Sequence, residues 1–254
     1  MSALLEGVDL TRTFGTRAHP FVAVDHVSCR LYAGHTLGVV GASGSGKSTL
    51  GELLGGLQKP TAGTVLFNGT PLAELGRSDR RAYRRAVQFI FQDPQASMDP
   101  SYTVARLLAE PFGSACDRTE LRRRSAQMLE RVGLSAEVLG KRPGELSGGQ
   151  CQRVAVARAL ITEPRVVICD ECTSALDVSV RAQILNLLRD LQRDLGCAYL
   201  FISHDIAVVG YMADDLLVMD AGAVVESGPA SRVLTTPASS YTKTLLDAAA
   251  QIGE

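Results

Sequence analysis

Short runs of apolar residues recur along the chain, and polar or glycine-containing segments separate them. Four of these runs are almost entirely apolar, which predicts strands buried in a sheet. They lie at residues 37–40, 87–91, 166–169 and 199–202. After the third run, Ile184, Leu188, Leu191 and Leu195 recur at helical spacing, which predicts an amphipathic helix that ends at Gly196. This alternation of strands and helices predicts an α/β fold.

The N-terminal part of the chain has a different pattern. Residues 4–10, 22–24 and 27–31 are short strand-like pieces separated by turns, which predicts antiparallel strands. A further strand is predicted within residues 63–69, where the Asn-Gly pair is a turn signal. The two patterns together predict an antiparallel β subdomain at the N-terminal end of the α/β core.

The middle of the chain carries mostly helical patterns between strand-rich flanks. Residues 119–132, for example, predict one helix that Gly133 stops. We therefore predict a helical subdomain at about residues 93–162, inserted into a core formed by about residues 1–92 and 163–254. Two Asp-Pro pairs lie between residues 92 and 100, which predicts a flexible joint at the entry to this subdomain.

Composition narrows the possible classes of function. The 26 Lys and Arg residues balance the 27 Asp and Glu residues, so the formal net charge of −1 offers no global basic field for nucleic acid. No apolar run approaches the roughly 18 to 20 residues that a membrane span needs, and no charged and then apolar leader opens the chain. We expect a protein that is soluble by itself and cytosolic.

The six cysteines follow no regular framework. Cys169 and Cys172 have C-x-x-C spacing, which is also found in redox and metal pairs. They bracket two carboxylates at the end of an apolar run, and the sequence has no second Cys or His pair at the spacing of a zinc finger. We therefore expect ordinary reduced thiols.

The segment after the first apolar run has the spacing G-x-x-x-x-G-K-[ST] of a phosphate-binding loop, or P-loop. Its glycines let the backbone aim successive N–H groups at one phosphate chain, and a helix expected to begin at residues 49–50 adds the positive end of its dipole. The motif assigns Lys47 to the β- and γ-phosphates and the Ser48 hydroxyl to magnesium. The alternative is a simple Gly/Ser turn, and kinases, GTPases and motor ATPases all share this loop. The candidate residues are Gly41, Ser43, Gly44, Ser45, Gly46, Lys47, Ser48 and Thr49.

A second glycine-rich turn precedes the helical pattern of residues 152–160. It contains Ser147, Gly148, Gly149 and Gln150. A serine followed by free N–H groups at the start of a helix forms an anion site. The alternative is a serine-capped helix with a Gly-Gly turn, which is common by itself.

Polar residues with catalytic potential stand at the ends of the apolar runs. Asp170 and Glu171 follow residues 166–169, Gln92 follows residues 87–91, and His204 lies just beyond residues 199–202. Open parallel sheets bind ligands at the carboxyl ends of their strands, so we expect these residues to meet Lys47 there. Asp170 then belongs near the magnesium ion, and Glu171 can take a proton from water. A lone histidine is usually structural, but His204 is well placed.

Two aromatic residues ahead of the P-loop, Phe14 and Phe21, are candidates for stacking on an adenine ring. We name Phe14 as the candidate base-binding residue. The alternative for each is a place in the apolar core.

Taken together, these residues resemble the nucleotide-binding domain of ATP-binding cassette (ABC) transporters, and the resemblance covers nearly the whole chain. The P-loop, Gln92, the LSGGQ at residues 146–150, residues 166–171, residues 174–177 and His204 occur in the order of that family. The resemblance implies a P-loop NTPase (RecA-like) α/β core, an N-terminal antiparallel β subdomain and an inserted helical subdomain. The usual proline after the catalytic glutamate is Cys172 here, which changes a loop position and leaves the chemical groups intact.

The resemblance also implies a role for each matching residue, with ATP and Mg²⁺ as ligands. Two such domains pair head to tail, so that Ser147 to Gln150 of one chain close over the γ-phosphate on the P-loop of the other. Gln92 senses magnesium and the membrane partner, and Asp170 supports magnesium. Glu171 orients or activates water, His204 contacts the γ-phosphate, and Asp177 bridges the dimer.

Two stretches resemble one subfamily, the ATPases of peptide and nickel importers. These stretches are residues 92–104 and 240–246, although Ser239 and Ser240 replace the His-Pro of that subfamily. The resemblance implies an ATP-hydrolysing subunit that powers uptake of di- or oligopeptides, or of nickel or metal chelates. It also implies a peripheral place on the cytoplasmic face of the membrane. The implied partners are two transmembrane permease subunits, a second ATPase that is a sibling or a second copy, and indirectly an extracytoplasmic substrate-binding protein, but no nucleic acid.

Three alternatives stay open at this point. The chain can be the ATPase of an exporter, although the segment after Gln92 argues against this. It can be a soluble ABC ATPase that acts on nucleic acid or ribosomes, although its near-neutral charge and the lack of long coiled-coil insertions argue against that. A binding module with a dead site is the third, and the presence of Glu171 and His204 argues against it.

Overall fold

The computed structural model describes residues 2–16, 19–112 and 117–252, and within them the chain forms two sheets. The strands are β1 (Leu5–Thr16), β2 (His19–Leu31), β3 (Thr36–Val40), β4 (Ala62–Phe67), β5 (Thr70–Pro71), β6 (Val87–Ile90), β7 (Val166–Asp170), β8 (Ala198–Ser203), β9 (Asp215–Asp220) and β10 (Ala223–Pro229). The helices are α1 (Lys47–Leu54), α2 (Arg77–Ala86), α3 (Val104–Ala109), α4 (Arg118–Arg131), α5 (Gly148–Leu160), α6 (Val178–Leu195), α7 (Ile206–Met212), α8 (Ala230–Thr235) and α9 (Ser240–Ile252).

The larger sheet has the strand order β10-β9-β3-β8-β7-β6. Its strands run parallel except β10, which pairs antiparallel with β9. The four apolar runs of the sequence become β3, β6, β7 and β8, and their side chains are almost completely buried in β3, β7 and β8. The prediction of a parallel sheet in an α/β fold is therefore confirmed.

The smaller sheet has the strand order β2-β1-β4-β5, and all of its pairs are antiparallel. The sequence predicted three short strands before residue 36, but the structure has two long ones. Bulges explain the difference. Asp9 and His26 both have φ near 52°, and the pairing register of β1 with β2 shifts beside them. Each bulge interrupts the alternation of apolar and polar residues within a continuous strand, so one strand looks like shorter pieces.

Two helices begin earlier than the sequence pattern predicted. Helix α1 begins at Lys47 rather than at residues 49–50, directly after Gly46 in the left-handed region with φ 98°. Helix α5 begins at Gly148 rather than at Gln152, because the Ser147 side chain caps it there. In both cases the motif residues themselves form the first helical turn.

The predicted end of α6 at Gly196 is confirmed, and that glycine has φ 65°.

Helices α3, α4 and α5 and three short 3₁₀ turns occupy most of the segment between residues 104 and 160. One buried apolar cluster joins Leu107, Leu129 and Val154 of this segment to Ile90 and Val167 of the parallel sheet. The segment therefore packs directly on the sheet edge that β6 forms. Its assignment as a separate subdomain at about residues 93–162 stays a prediction. Among the described residues, no helix has both the length and the apolarity to cross a membrane.

Strand β3 leaves little room for side chains on the face that packs against α7. A Cβ atom added at Gly38 would lie 2.3 Å from Val209 Cγ1 and 2.8 Å from Ala213 Cβ. Overpacking of this kind costs about 1–3 kcal/mol. We therefore expect Gly38→Ala to lower the thermal unfolding midpoint by about 2–4 °C for each kcal/mol lost. Calorimetry checks this. Gly140→Ala is the matched control, because a Cβ there meets no atom within 4 Å. Equal midpoints for the two variants would contradict this account of the packing.

Candidate active site

The P-loop connects β3 to α1 and packs tightly on its surroundings. A Cβ at Gly41 would lie 2.1 Å from the carbonyl oxygen of Met219, and one at Gly46 would lie 2.0 Å from that of Ala23. Gly44 and Gly46 also have φ of 81° and 98°, in the left-handed region. Gly41 is therefore required by close contact, Gly44 by its backbone conformation, and Gly46 by both.

Lys47 is buried inside its own loop. Its Nζ donates to the carbonyl oxygens of Gly41 at 2.9 Å and Ala42 at 2.8 Å. Burial lowers the pKa of Lys47, while the nearby charges of Glu171 and Asp170 oppose this shift. Lys47 thus places a positive charge at the loop, near the carboxylates of Asp170 and Glu171 at the end of β7.

Ser48 links the P-loop to the end of β7. Its Oγ donates to Asp170 Oδ1 at 2.9 Å. Burial raises the pKa of Asp170, the charges of Glu171 and Glu52 raise it further, and Ser48 and Lys47 oppose the rise. A hydroxyl and a carboxylate at this distance fit the oxygen ligands that Mg²⁺ takes from a protein, with water and phosphate oxygens completing its shell.

Glu171 and His204 meet across the ends of β7 and β8. Glu171 Oε1 lies 3.4 Å from His204 Nδ1, and the Glu171 N–H donates to the Ile202 carbonyl oxygen at 3.0 Å. Glu171 has φ 45°, which is uncommon for a residue with a side chain. The Glu171 side chain is largely shielded and His204 is half exposed. The pair therefore forms a carboxylate and an imidazole beside the P-loop.

Gln92 lies on the same edge of the sheet. Strand β6 pairs with β7 so that Ile90 is opposite Cys169, and Gln92 therefore follows β6 at the level where Glu171 follows β7. Beyond it, Asp93 Oδ1 accepts from the N–H groups of Gln95 and Ala96. The segment is a chain of turns, and its role as a flexible joint stays a prediction.

The LSGGQ residues form the N-terminus of α5. Ser147 Oγ accepts from the Gln150 N–H at 3.3 Å, and Gln150 Oε1 accepts from the Ser147 N–H at 3.0 Å. This is the serine-capped helix that the sequence offered as the simpler alternative. Gly148 lies exposed and Gly149 half-buried in its first turn. A helix start with exposed N–H groups is compatible with an anion site, and that role stays a prediction.

A further motif lies against this helix start. A Cβ at Gly149 would be 3.3 Å from Val180 Cγ1 of α6. Asp177 caps α6 by accepting from the Val180 N–H at 2.9 Å, and this bond lowers its pKa. Val178 beside it is 80% exposed. Residues 147–150 and Asp177 therefore share one exposed surface.

Phe14 and Phe21 lie opposite each other on β1 and β2. The Arg12 guanidinium lies 4.6 Å from the centre of the Phe14 ring, and Phe21 is 58% exposed. Strand β2 touches the P-loop at Ala23, two residues from Phe21, so both rings are on the strand pair that borders the loop. The stacking of Phe14 on adenine stays a prediction.

The sequence analysis missed one residue that contacts the P-loop. Tyr241 Oη of α9 accepts a hydrogen bond from the Ala42 N–H at 3.0 Å. The sequence did mark residues 240–246, but only as a subfamily trait, and nothing in their pattern indicated a contact 199 residues away along the chain.

The five described cysteines are all buried and free, namely Cys29, Cys151, Cys169, Cys172 and Cys197. Cys116 lies outside the described residues. No group of three or more His, Cys, Asp or Glu side chains in the described part of the chain is arranged to hold a metal ion. The assignment of these cysteines as ordinary reduced thiols stays a prediction.

Comparisons with known proteins agree with this site. The family model described as ABC transporter matches residues 24–174. The oligopeptide transport ATP-binding protein OppF of Escherichia coli K12 is 47% identical over 229 residues, which cover 89% of this chain and 69% of OppF. The di/tripeptide transport ATP-binding protein DppF of Pseudomonas aeruginosa is 44% identical over 256 residues, which cover 98% of this chain and 79% of DppF.

Solved structures give the same result. CbiO1 from Clostridium perfringens, part of the ABC transporter complex cbiONQ, superimposes with a TM-score of 0.81 and 29% identity over 93% of this chain and 92% of its own. The ATP-binding cassette MJ0796, in a dimeric post-hydrolysis state with ADP and Pi, superimposes with a TM-score of 0.79 and 28% identity over 89% of this chain and 98% of its own. The expected P-loop NTPase fold is thereby confirmed.

Burial makes a prediction about thiol chemistry. It raises the pKa of Cys29 to about 12 and that of Cys197 to about 11, so both thiols stay protonated at moderately alkaline pH. An exposed thiol has a pKa of about 8.5 and becomes mostly thiolate between about pH 7 and about pH 9. We expect alkylation of these two cysteines in the folded protein to be slow and not to accelerate over that range. Mass spectrometry of alkylated peptides checks this, with the unfolded protein as control. Fast labelling of the folded protein would contradict it.

Proposed function

This chain belongs to the ABC transporter family, and from that premise we propose that it hydrolyses ATP to power the import of short peptides through separate membrane subunits. The observation that carries the proposal is the convergence of Lys47, Ser48 with Asp170, and Glu171 with His204 at one edge of the parallel sheet. The chain therefore has each chemical group that an ABC ATPase needs.

The relatives support peptides as the cargo. OppF and DppF are named for oligopeptides and di/tripeptides. The glutathione import protein GsiA of Escherichia coli, 49% identical over 89% of this chain, is named for a tripeptide. These names favour an importer over an exporter or a ribosome-associated ATPase. They also favour peptides over nickel or metal chelates, which the sequence had left open.

Binding of ATP follows from the P-loop. The N–H groups of the loop and of the first turn of α1 donate to the phosphate oxygens, and the helix dipole favours their negative charge. Lys47 donates to the β- and γ-phosphates in place of the loop carbonyls. Ser48 and Asp170 would hold magnesium, with Gln92 on the same edge. When bound, the ion neutralises charge that develops on the phosphates. Phe14 stacks on the adenine.

Hydrolysis uses the pair at the ends of β7 and β8. Glu171 orients a water molecule and takes its proton as the water oxygen attacks the γ-phosphorus. The bond to the bridging oxygen breaks, and ADP and phosphate leave. His204, close to Glu171, donates to the γ-phosphate oxygens. The strained backbone of Glu171 keeps its carboxylate directed at the site.

Two such chains, or this chain and a sibling, pair head to tail. The surface formed by residues 147–150, Asp177 and Val178 is exposed and partly apolar. MJ0796 is also described as a dimer in its solved structures. In the proposed dimer, Ser147, Gly148, Gly149 and Gln150 of one subunit close over the γ-phosphate on the other. The closed form therefore exists only while that phosphate is present, and hydrolysis reopens it.

The permease contacts a groove next to the Gln92 segment. The groove has a volume of about 1260 Å³, and among its lining residues are Leu57, Phe89 and Phe91. The rings of Phe89 and Phe91 stack with centroids 5.2 Å apart. The groove is also lined by Arg80, Arg81, Arg84 and Arg85.

Apolar and basic side chains in one groove fit a cytoplasmic permease segment that has apolar and acidic side chains. This contact holds the protein peripherally on the cytoplasmic face of the membrane, and the permease in turn meets the extracytoplasmic binding protein.

The role of Glu171 is tested by Glu171→Gln. Loss of a general base costs about 10² to 10⁴ in rate, so we expect phosphate release to fall by that factor while ATP affinity is retained. We also expect this variant to accumulate as a dimer with ATP and magnesium, visible by size-exclusion chromatography. Glu130→Gln, at an exposed position of α4, is the matched control and should behave as the wild type. Normal turnover by Glu171→Gln would remove this residue from its role.

The groove is tested by Leu57→Glu. Leu57 is 57% exposed, so a charge there disturbs the groove rather than the core. We expect the variant to bind ATP as the wild type does, because Leu57 lies outside the P-loop. The amount of permease that co-purifies with it should fall by at least about 90%, which corresponds to a loss of more than about 1.4 kcal/mol in binding free energy. The control is Val225→Glu, which places the same charge at an exposed position of β10. Equal recovery of permease with both variants would refute the groove as the docking surface.

A further inference from the structure

The peptide between Gly41 and Ala42 is held at both of its polar ends. Its carbonyl oxygen, on Gly41, accepts from Lys47 Nζ at 2.9 Å. Its N–H, on Ala42, donates to Tyr241 Oη at 3.0 Å. One partner is the cation of the P-loop itself, and the other comes from the C-terminal helix α9. The orientation of this peptide therefore sets one of the two carbonyl contacts of Lys47, the other being with Ala42.

The start of α9 is fixed by a buried carboxylate. Glu226 on β10 is 9% exposed, and its two carboxylate oxygens accept from the Ala238 N–H at 2.8 Å and the Ser239 N–H at 3.1 Å. Ser239 Oγ in turn accepts from the Tyr241 N–H at 3.2 Å. The backbone of Tyr241 is thus tied to β10 before its side chain reaches the P-loop.

These contacts close a ring around the loop. Glu226 pairs with Val218 of β9, Val218 pairs with Val40 of β3, and Val40 directly precedes Gly41. The hydroxyl of Tyr241 completes the ring by returning to Ala42. The other links of the ring are the pairing between strands and the hydrogen bonds of Glu226 and Ser239. These links hold the backbone of Tyr241, so the fold determines where its hydroxyl lies.

We propose that Tyr241 is a positioning residue for nucleotide binding, which makes the geometry of the P-loop depend on docking of the C-terminal helix. The inference rests on the proposed ATPase function. Tyr241 acts through the Gly41–Ala42 peptide and, through the carbonyl of that peptide, on Lys47. Without the hydroxyl the peptide loses the partner of its N–H and is held less firmly, so the loop must be reordered when a nucleotide binds.

The experiment compares the purified wild type with Tyr241→Phe, which keeps the ring and removes only the hydroxyl. One hydrogen bond corresponds to a factor of about three to ten in an equilibrium constant. We expect the Kd for ATP and the KM to rise by that factor, while kcat stays within about two-fold because Glu171 and His204 are on other strands. A fluorescent ATP analogue measures Kd and phosphate release measures the kinetics. A purely structural hydroxyl would lower the unfolding midpoint and leave Kd of the folded protein unchanged.

The matched control is Tyr211→Phe, which removes a hydroxyl that donates to Asn186 Oδ1 on α6, and it should leave Kd unchanged. A second variant, Glu226→Gln, weakens the anchor of α9 and should also raise Kd. In a double-mutant cycle the two changes should be non-additive, because both act on the same contact with Ala42. Wild-type Kd and KM in Tyr241→Phe, or fully additive effects with Glu226→Gln, would overturn the inference. Failure of the wild type itself to bind ATP would instead overturn the proposed function.

Discussion

Parallel pairing of β3, β8 and β7 is the constraint on which the site depends. In this register Val40 lies opposite Ser203, and Ile202 lies opposite Asp170, so the three strands end at one edge. The residues that follow are then forced together, although they come from three distant parts of the sequence. Because the strands are buried on both faces, a shift in register would move charged residues into the core, where unpaired charges are strongly disfavoured. Burial of the apolar strands therefore also fixes the positions of the groups to which we assign catalytic roles.

The same edge carries most of the local strain and the buried charge of the site. Lys47 and Asp170 are both largely shielded from water. Burial lowers the pKa of Lys47 and raises that of Asp170, and each shift favours the neutral form of the group. Glu171 has a left-handed backbone, and the P-loop glycines are in contact with carbonyl oxygens of β2 and β9. Such features are unfavourable in the isolated fold and persist because the surrounding sheet over-determines them. They leave charges and donors preorganised for a polyanionic ligand, which lowers the reorganisation needed during catalysis.

Three surfaces of the chain meet around this edge, and each has its own chemistry. The P-loop edge is rich in donors and charge, the surface of residues 147–150 and Asp177 exposes helix N-termini and an apolar Val178, and the groove beside α2 combines stacked phenylalanines with arginines. Strand β6 and its continuation through Gln92 run from the groove to the nucleotide edge. Only a few residues of backbone therefore separate the groove from the nucleotide edge. This arrangement suits an ATPase whose chemistry is coupled to a membrane partner.

The sequence by itself located the residues that meet at the site. The P-loop, the carboxylates at residues 170–171 and His204 are defined by local spacing and by apolar runs that end at known positions, and such patterns depend only on neighbouring residues. It also predicted the α/β class and most of the elements before residue 204, but none of the helices and strands that follow it. It did not predict the continuous length of β1 and β2, because bulges break their alternation. Nor did it predict the helix starts at Lys47 and Gly148, where a left-handed Gly46 precedes the first helix and the Ser147 side chain caps the second. The hydrogen bond between Ala42 and Tyr241, and the groove beside α2, were decided only by the tertiary structure. Both join segments far apart in the chain, and which distant segments meet depends on the order of strands in the sheet, which local patterns do not encode.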